Sequence, residues 1–198
     1  MISIAIALVL CGPARPTFWQ WVQKNEARLA EAAAKDPVPV MKELQDRLDA
    51  EEEDLVIELA LGETPPSIVI SADGNSALFG AVKRVAAAAP KLKSWKVIAF
   101  RPRRPFDGTL EIDDAKFKLS DFSFRELGRA VGKIDLEIAV RGRTRLNAEQ
   151  VDRAAFLVLD TVLGEYDTET KIGVIDFVSA PTKAHRPLNE LAAIVDKL

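Results

Sequence analysis

Short apolar runs separated by turn residues alternate with amphipathic stretches along most of this chain. The apolar runs 55–61, 68–71 and 95–100 predict strands, and the segment between the last two carries apolar residues at helical spacing. The turn 62–66 joins the first two strands and favours an antiparallel hairpin. The first half of the chain therefore predicts the order strand, strand, helix, strand.

The same order recurs in the second half. After a short hairpin within 106–119, strands are predicted at 122–127 and 134–141, followed by a helix and by a strand at 172–178. The likeness is one of pattern, because few residues are identical between the halves. The fold class predicted is α+β, a mainly antiparallel sheet with helices on one face. The elements form a single domain, 17–198, with halves 17–105 and 106–198; two separate small domains meeting near 105–108 are the alternative.

Two helix starts are marked by capping residues. Thr17 followed by Gln20 resembles a capping box and predicts a helix over about 18–33. Asp36 followed by Pro37 predicts the start of a second helix, since a cap residue before proline is typical of that position.

The helix predicted to begin after Asn147 is apolar on almost every side. Phe156, Leu157 and Leu159 add to its main stripe, which predicts burial on more than one face and a central position in the fold. A short amphipathic helix is predicted at the C-terminus from the spacing of Leu188, Leu191, Val195 and Leu198.

Residues 1–16 are interpreted as an N-terminal extension. The apolar run 2–10 is far shorter than the roughly 20 residues of a membrane span. A strand at a sheet edge, or an extension from an upstream start codon, is preferred. A signal segment is the second interpretation, although no Lys or Arg precedes the run and no clean cleavage site follows it.

Composition and charge narrow the class of protein. Hydrophobic residues make up 48% of the chain and charged residues 29%, as in an ordinary globular domain. A net charge of −3 argues against a protein that binds nucleic acid through its overall surface charge. Cys11 is the only cysteine and His185 the only histidine, so no internal disulfide, zinc site or specific nucleophile–histidine pair is predicted. We expect no cofactor, no metal and a cytoplasmic location, with export as the alternative.

Arginines concentrate where strands end. Arg101, Arg103 and Arg104 alternate with prolines after one core strand, and the pattern R-G-R-T-R at 141–145 follows another. Guanidinium groups suit carboxylate or phosphate, so the first cluster predicts an edge that binds a partner protein or a small anionic ligand. Pairing of both clusters with the acidic run 49–54 and with Asp113 and Asp114 is the structural alternative.

Five other residues complete the candidate site. Trp19 and Trp21 cannot share one helix face, so one of them covers a second element or forms an aromatic wall beside Glu26. Asp73 lies in the turn S-A-D-G-N-S, where it or the asparagine two residues later caps the next helix. Glu165 lies in the short motif L-G-E.

Several of these motifs together resemble a family of uncharacterised bacterial proteins. They are F-W-Q-W-V-Q-K-N-E (18–26), I-S-A-D-G (70–74), A-A-P-K-L-K-S-W-K-V-I-A-F-R-P-R (88–103), L-G-E (163–165) and I-G-V-I (172–175). The resemblance covers nearly the whole chain from residue 18 and implies a shared fold and a bacterial origin. It implies no reaction. Members begin close to the first motif, which also makes residues 1–16 an extension.

These features lead to two hypotheses for the function, a binding protein and an enzyme. The preferred one is a non-catalytic binding module, which predicts that no pocket holds a titratable group with a strongly perturbed pKa. The alternative is an enzyme with carboxylate acid/base residues acting on a small substrate, with Glu26, Asp73 and Glu165 as candidates. That alternative requires the three carboxylates to lie within about 10 Å of one another. The oligomeric state is left open.

Overall fold

Each half of the chain has its own hydrophobic core. The computed structural model describes residues 16–106, 108–142 and 148–198. One cluster of buried side chains runs from Phe18 to Phe100, and a second runs from Ile112 to Val195. Helices and mostly antiparallel sheets contribute to both, so the predicted α+β class is confirmed.

Two helices open the first half. Helix α1 (Phe18–Lys35) begins with the predicted capping box, in which the Thr17 hydroxyl accepts the Gln20 N–H while the Gln20 side chain accepts the Thr17 N–H. Helix α2 (Pro37–Leu48) begins at Asp36, whose carboxylate accepts a hydrogen bond from the N–H of Val38. Both helix starts are therefore confirmed.

A three-stranded sheet forms the rest of the first half. Strand β1 (Val56–Ala60) pairs antiparallel with β2 (Ser67–Ser71), and β3 (Lys96–Ala99) pairs parallel with the other edge of β2. Helix α3 (Phe79–Ala87) makes the crossover that a parallel pair needs. Since every residue of β2 is buried, this strand is the centre of the first core.

The second half repeats this arrangement. A long middle strand pairs antiparallel with the strand before it and parallel with the strand after it, as β2 does. A separate two-stranded hairpin precedes this sheet in the chain. A two-residue strand pairs with the first strand of the sheet and so extends the edge of the sheet. The strands are β4 (Thr109–Ile112), β5 (Ala115–Lys118), β6 (Phe122–Ala130), β7 (Lys133–Val140), β8 (Ile172–Val178) and β9 (Arg186–Pro187).

The helices of the second half differ from expectation in two respects. Helix α4 (Ala148–Leu163) buries Leu159, but Phe156 is 47% exposed and Leu157 is 45% exposed, so the predicted burial on more than one face is wrong for these two residues. The chain also forms α5 (Glu165–Lys171), which the pattern did not predict, before it ends in α6 (Leu191–Val195).

Some predictions fall outside the described residues. They concern the N-terminal apolar run with Cys11, the capping residue Asn147, and two arginines of the second cluster, Arg143 and Arg145. Within the described ranges, no helix has both the length and the apolar character that crossing a bilayer demands.

Candidate functional site: a groove between the two halves

The chain turns sharply where it leaves the first sheet. Phe100 follows β3 with φ of +67°, a left-handed conformation that is unusual for an aromatic residue. Its ring packs against Phe79 and against Tyr166 of α5, at centroid distances of 4.6 and 5.0 Å. Arg104 then donates its backbone N–H to the carbonyl of Thr161 at 2.8 Å. The arginine-rich segment thus runs along the second half instead of projecting into solvent.

Glu165 joins the two halves. Its side chain is fully buried, and its carboxylate accepts the backbone N–H groups of Ala72 at 2.8 Å, Gly74 at 3.4 Å and Arg101 at 3.0 Å. Its own N–H donates to the carbonyl of Arg101 at 3.0 Å. A buried carboxylate needs such donors. The L-G-E motif therefore has a structural role in this contact.

Gly164 allows this close approach. It has φ of +80°, and a Cβ at this position would lie 3.1 Å from the carbonyl oxygen of Arg101 and 3.2 Å from the nitrogen of Arg103. Both neighbours are backbone atoms, so the space cannot be recovered by a side-chain rotation. Glycine is required here both for conformation and for clearance.

Arg101 is surrounded by carboxylates. Its guanidinium donates to Glu58 and to Asp73, the latter at 2.5 Å, and lies 3.7 Å from Asp160. Burial alone lowers the pKa of Arg101, but the hydrogen bonds to Asp73 and Glu58 raise it above its usual value. The charge of Arg101 is therefore already balanced within the protein.

Arg103 is engaged in the same way and Arg104 is not. Arg103 donates to the carbonyl of Leu163 at 2.7 Å and forms ion pairs with Asp167 at 2.5 Å and Asp196 at 2.7 Å. Arg104 is exposed, and its side chain has no ion pair or hydrogen bond with any residue that the structure describes. Arg101 and Arg103 thus pair with acidic residues, but not with the acidic run or the aspartates that the sequence suggested.

A groove of about 720 Å³ lies between the halves. The first half supplies the turn with Asp73 and the guanidinium of Arg101, while α4 and α5 supply the other wall. Among the described residues, five carboxylates and two guanidiniums line it, so this part of the lining has more acidic than basic groups. The lining residues are Asp73, Gly74, Arg101, Glu149, Asp152, Arg153, Phe156, Leu157, Asp160 and Glu169. A smaller cavity of about 270 Å³ shares Arg101, Leu157 and Asp160 with it.

Two carboxyl groups of this groove titrate unusually. Burial raises the pKa of Asp160 to about 6. A hydrogen bond from Thr168 and the charge of Arg101 lower this pKa, but their effect is smaller than that of burial. Burial also raises the pKa of Glu169. The binding-module hypothesis predicted that no pocket holds a titratable group with a strongly perturbed pKa, and Asp160 disagrees with that prediction. Perturbed carboxyl groups in a cleft are typical of functional sites, although structural ion pairs also produce them.

Asp152 leaves one polar atom unsatisfied. Its Oδ1 is buried and accepts no hydrogen bond from any residue that the structure describes. The residue lines the groove one helical turn before Phe156 and two turns before Asp160. This oxygen is enclosed by the protein and not exposed to the groove, so its missing donor is a cost to the fold and not a contact point for a ligand.

The structure separates the other sequence-predicted site residues from the groove. Trp19 and Trp21 are both buried in the first core. The indole of Trp19 donates to the carbonyl of Val85 at 2.7 Å, whereas the ring of Trp21 lies 4.7 Å from the guanidinium of Arg47. The two tryptophans therefore cover different elements, α3 and α2.

Glu26 lies at the opposite end of β3. Its carboxylate accepts the N–H groups of Lys93 at 3.0 Å and Ser94 at 3.3 Å, just before the strand, whereas Arg101 and its partner Glu165 follow it. Four strand residues alone advance the chain by roughly 13 Å. Glu26 and Glu165 are therefore too far apart to cooperate in one reaction. Asp73 and Glu165 do come together, through Arg101 and the turn that contains Gly74.

Other predicted roles are simpler. Asn75 caps the short turn of 3₁₀-helix before α3 by accepting the N–H of Ala77 at 3.1 Å, which leaves Asp73 for Arg101. His185 is enclosed near Glu137, and its Nδ1 accepts the N–H of Thr182 at 3.1 Å. No set of three or more His, Cys, Asp or Glu side chains is placed to hold a metal ion in the described part of the chain.

Sequence reasoning missed most of the residues that line the groove from α4 and α5. They are Glu149, Asp152, Arg153, Asp160, Glu169 and, as exposed groups, Phe156 and Leu157. One signal pointed to Asp160, since it interrupts the apolar run F-L-V-L-D-T-V-L at 156–163. A charged residue in such a run has a buried or partly buried environment that shifts its pKa.

Comparison of the chain with protein-family models, with curated proteins and with solved structures finds no match. The bacterial family suggested by the motifs stays a prediction. What can be proposed about function therefore depends on the groove.

Proposed function

We propose that the protein is a non-catalytic binding module whose ligand occupies the groove between the two halves. The observation that carries this proposal is the groove of about 720 Å³, in which the exposed apolar side chains of Phe156 and Leu157 lie between charged groups. A concave apolar surface with a few polar groups around it is typical of a ligand site. Only Arg101 of the predicted arginine edge contributes to it.

The chemistry of the groove favours binding over catalysis. Its described lining residues include carboxylates and guanidiniums, but no serine, cysteine, histidine or lysine that would act as a nucleophile. Arg101 lies 3.7 Å from Asp160, and its charge partly opposes the rise in the pKa of that carboxyl group. We place the protein in the cytoplasm, because a single cysteine fits a reducing compartment.

The proposal is tested by NMR on the full chain with four defined probes: spermidine, citrate, inorganic phosphate and glucose. A probe that binds is expected to shift the amide signals of Gly74, Phe156 and Leu157. Leu157→Ala should remove those shifts, while Leu61→Ala, at a leucine 40% exposed outside the groove, should leave them. If no probe perturbs the groove, the proposal is wrong.

A second function is favoured by the raised pKa of Asp160. A carboxyl group with a pKa of about 6 can both accept and release a proton near neutral pH, which suits a general acid/base. The enzyme alternative would then use Asp160 instead of Glu26, Asp73 and Glu165. It predicts that a probe bound in the groove is chemically altered by the wild type and is unaltered by Asp160→Asn. An unaltered probe in both samples would leave binding as the function.

A further inference from the structure

We infer that the protein has a second ligand site, which binds a small organic anion with an uncharged, apolar body. The site is a cavity of about 670 Å³ in the second half, enclosed by the start of β6, the residue that follows β7 and the segment 181–189. The described residues that line it are all different from those of the groove. The inference therefore goes beyond the proposed function.

Arg141 is the cation of this cavity that is not bound inside the protein. Its backbone N–H donates to the carbonyl of Asp121 at 2.8 Å, which fixes the residue at the cavity wall. Its side chain is exposed and forms no ion pair or hydrogen bond with any residue in the described ranges. The other lining arginine, Arg186, donates to Glu190 at 2.9 and 2.6 Å. The guanidinium of Arg141 therefore remains available for a carboxylate or phosphate group of a ligand.

The charges of the lining favour an anion over a cation. In the described part of the chain, two arginines and one carboxylate, that of Asp121, line the cavity. This carboxylate accepts the backbone N–H of Lys118 at 2.8 Å and so belongs to the turn before β6. The groove has the opposite balance, since five carboxylates and two guanidiniums line its described part. The arginines that follow strands were expected to bind an anion, and Arg141 has the free guanidinium that Arg101 and Arg103 lack.

Neutral polar and apolar side chains form the rest of the wall. The side chains of Ser120, Ser123 and Asn189 make no hydrogen bond with another described residue, so their hydroxyl and amide groups can donate to an oxygen of the ligand. The apolar residues of the lining are Leu119, Phe122, Pro181, Pro187 and Leu188. A cavity of this volume, with apolar walls and a few polar groups, suits a small molecule that is charged at one end.

The segment that carries β9 is held in place without a ligand. Strand β9 pairs with β6, and Pro187 lies opposite Ser123. The Nδ1 of His185 accepts the N–H of Thr182 at 3.1 Å, and its Nε2 lies 3.4 Å from the carboxylate of Glu137 on β7. A ligand therefore does not have to order this wall of the cavity when it binds.

NMR titration of the full chain tests the inference with three probes: benzoate, phenyl phosphate and benzamide, which has the shape of benzoate without its charge. At least one of the two anions should shift the amide signals of Ser120, Ser123 and Asn189. That anion should bind at least about tenfold more tightly than benzamide, because only an oxyanion forms charged hydrogen bonds with Arg141. The comparison of benzoate with phenyl phosphate then identifies the preferred oxyanion.

Two arginine variants show whether the anion binds in this cavity. Arg141→Gln should weaken the binding of the better anion at least about tenfold. Arg104→Gln is the matched control, because Arg104 is also exposed and without a side-chain partner among the described residues but lies outside the cavity. It should change the affinity less than about twofold. Thermal unfolding should show that both variants fold as the wild type does, since neither side chain has an internal partner to lose.

Several results would overturn the inference. If neither anion shifts the signals of the cavity, or if the shifts appear at Gly74 and Phe156 in the groove, the site is absent. Equal weakening by the two arginine variants would mean that the anion responds only to net charge. Benzamide binding as tightly as the anions would mean that the charge is not recognised, and acetate or inorganic phosphate binding as tightly would mean the same for the apolar body. None of these results decides whether the groove binds a ligand of its own.

Discussion

Arg101 and Glu165 are joined by two reciprocal hydrogen bonds. The N–H of Arg101 donates to the Glu165 carboxylate, and the N–H of Glu165 donates to the Arg101 carbonyl, each at 3.0 Å. Since each residue belongs to a different half, this pair fixes the segment after β3 against the start of α5. The groove depends on this contact, because Arg101 and the turn at Gly74 both line it.

Replacing Glu165 by alanine should strongly destabilise the protein. The change leaves three backbone N–H groups of the other half without their acceptor, one of them buried and two partly buried. We expect the free energy of unfolding to fall by about 3 to 5 kcal/mol. Chemical denaturation measures it. Glu63→Ala, at an exposed glutamate paired with Lys96, is the control and should change it by less than about 0.5 kcal/mol. Similar values for the two variants would contradict the structural role of Glu165.

Gly164→Ala should also destabilise the fold. Its φ of +80° is unfavourable for alanine, and the added Cβ would meet backbone atoms of Arg101 and Arg103 at 3.1 and 3.2 Å. The expected loss is about 1 to 3 kcal/mol in the free energy of unfolding. Gly62→Ala is the matched control, because open space surrounds that position, and it should stay within about 1 kcal/mol of wild type. A Gly164→Ala variant as stable as wild type would show that the two halves can separate slightly at no cost.

The sequence predicted the sheet elements better than the contact between the halves. The hairpin β1–β2 follows from two apolar runs around a turn, a local pattern. Helix α5 was missed because E-Y-D-T-E-T-K has no apolar periodicity. It is held by tertiary contacts, in which Tyr166 stacks on Phe79 at 5.5 Å and Glu165 is buried. Such contacts form only when distant segments meet, and no local pattern encodes them.

The candidate site was predictable only in part for the same reason. Arg101, Asp73 and Glu165 were selected from turns and motifs, and the structure brings these three together. Asp160 and Glu169 enter the site because α4 and α5 pack beside the first half. For Trp19 the sequence left open whether it covers a second element or forms an aromatic wall, because its burial against α3 depends on the packing of two helices.

Arg103 and Arg104 should behave differently although they are neighbours. Arg103→Ala removes two ion pairs and a hydrogen bond to the carbonyl of Leu163, so we expect a loss of about 1 to 2 kcal/mol in the free energy of unfolding. Arg104→Ala should cost less than about 0.5 kcal/mol, since that side chain is exposed and has no recorded partner among the described residues. Thermal unfolding of both variants tests this. Equal losses would mean that Arg104 has a structural role of its own.

The raised pKa of Asp160 makes stability depend on pH. Because the folded-state pKa of about 6 exceeds the value near 3.9 expected for the unfolded chain, the folded state binds the proton more tightly. This group therefore makes its full contribution to stability below about pH 4 and loses it as the pH rises to about 6. The difference is about 1 to 2 kcal/mol after allowing for the partial exposure of the side chain.

Two measurements check the titration of Asp160. Carbon-13 NMR of its carboxyl group should give a midpoint near pH 6. The Asp160→Asn variant cannot titrate at this position, so its stability relative to wild type should increase as the pH rises from about 4 to 6, and subtraction cancels the other carboxyl groups. A constant difference over this range would mean that Asp160 has an ordinary pKa.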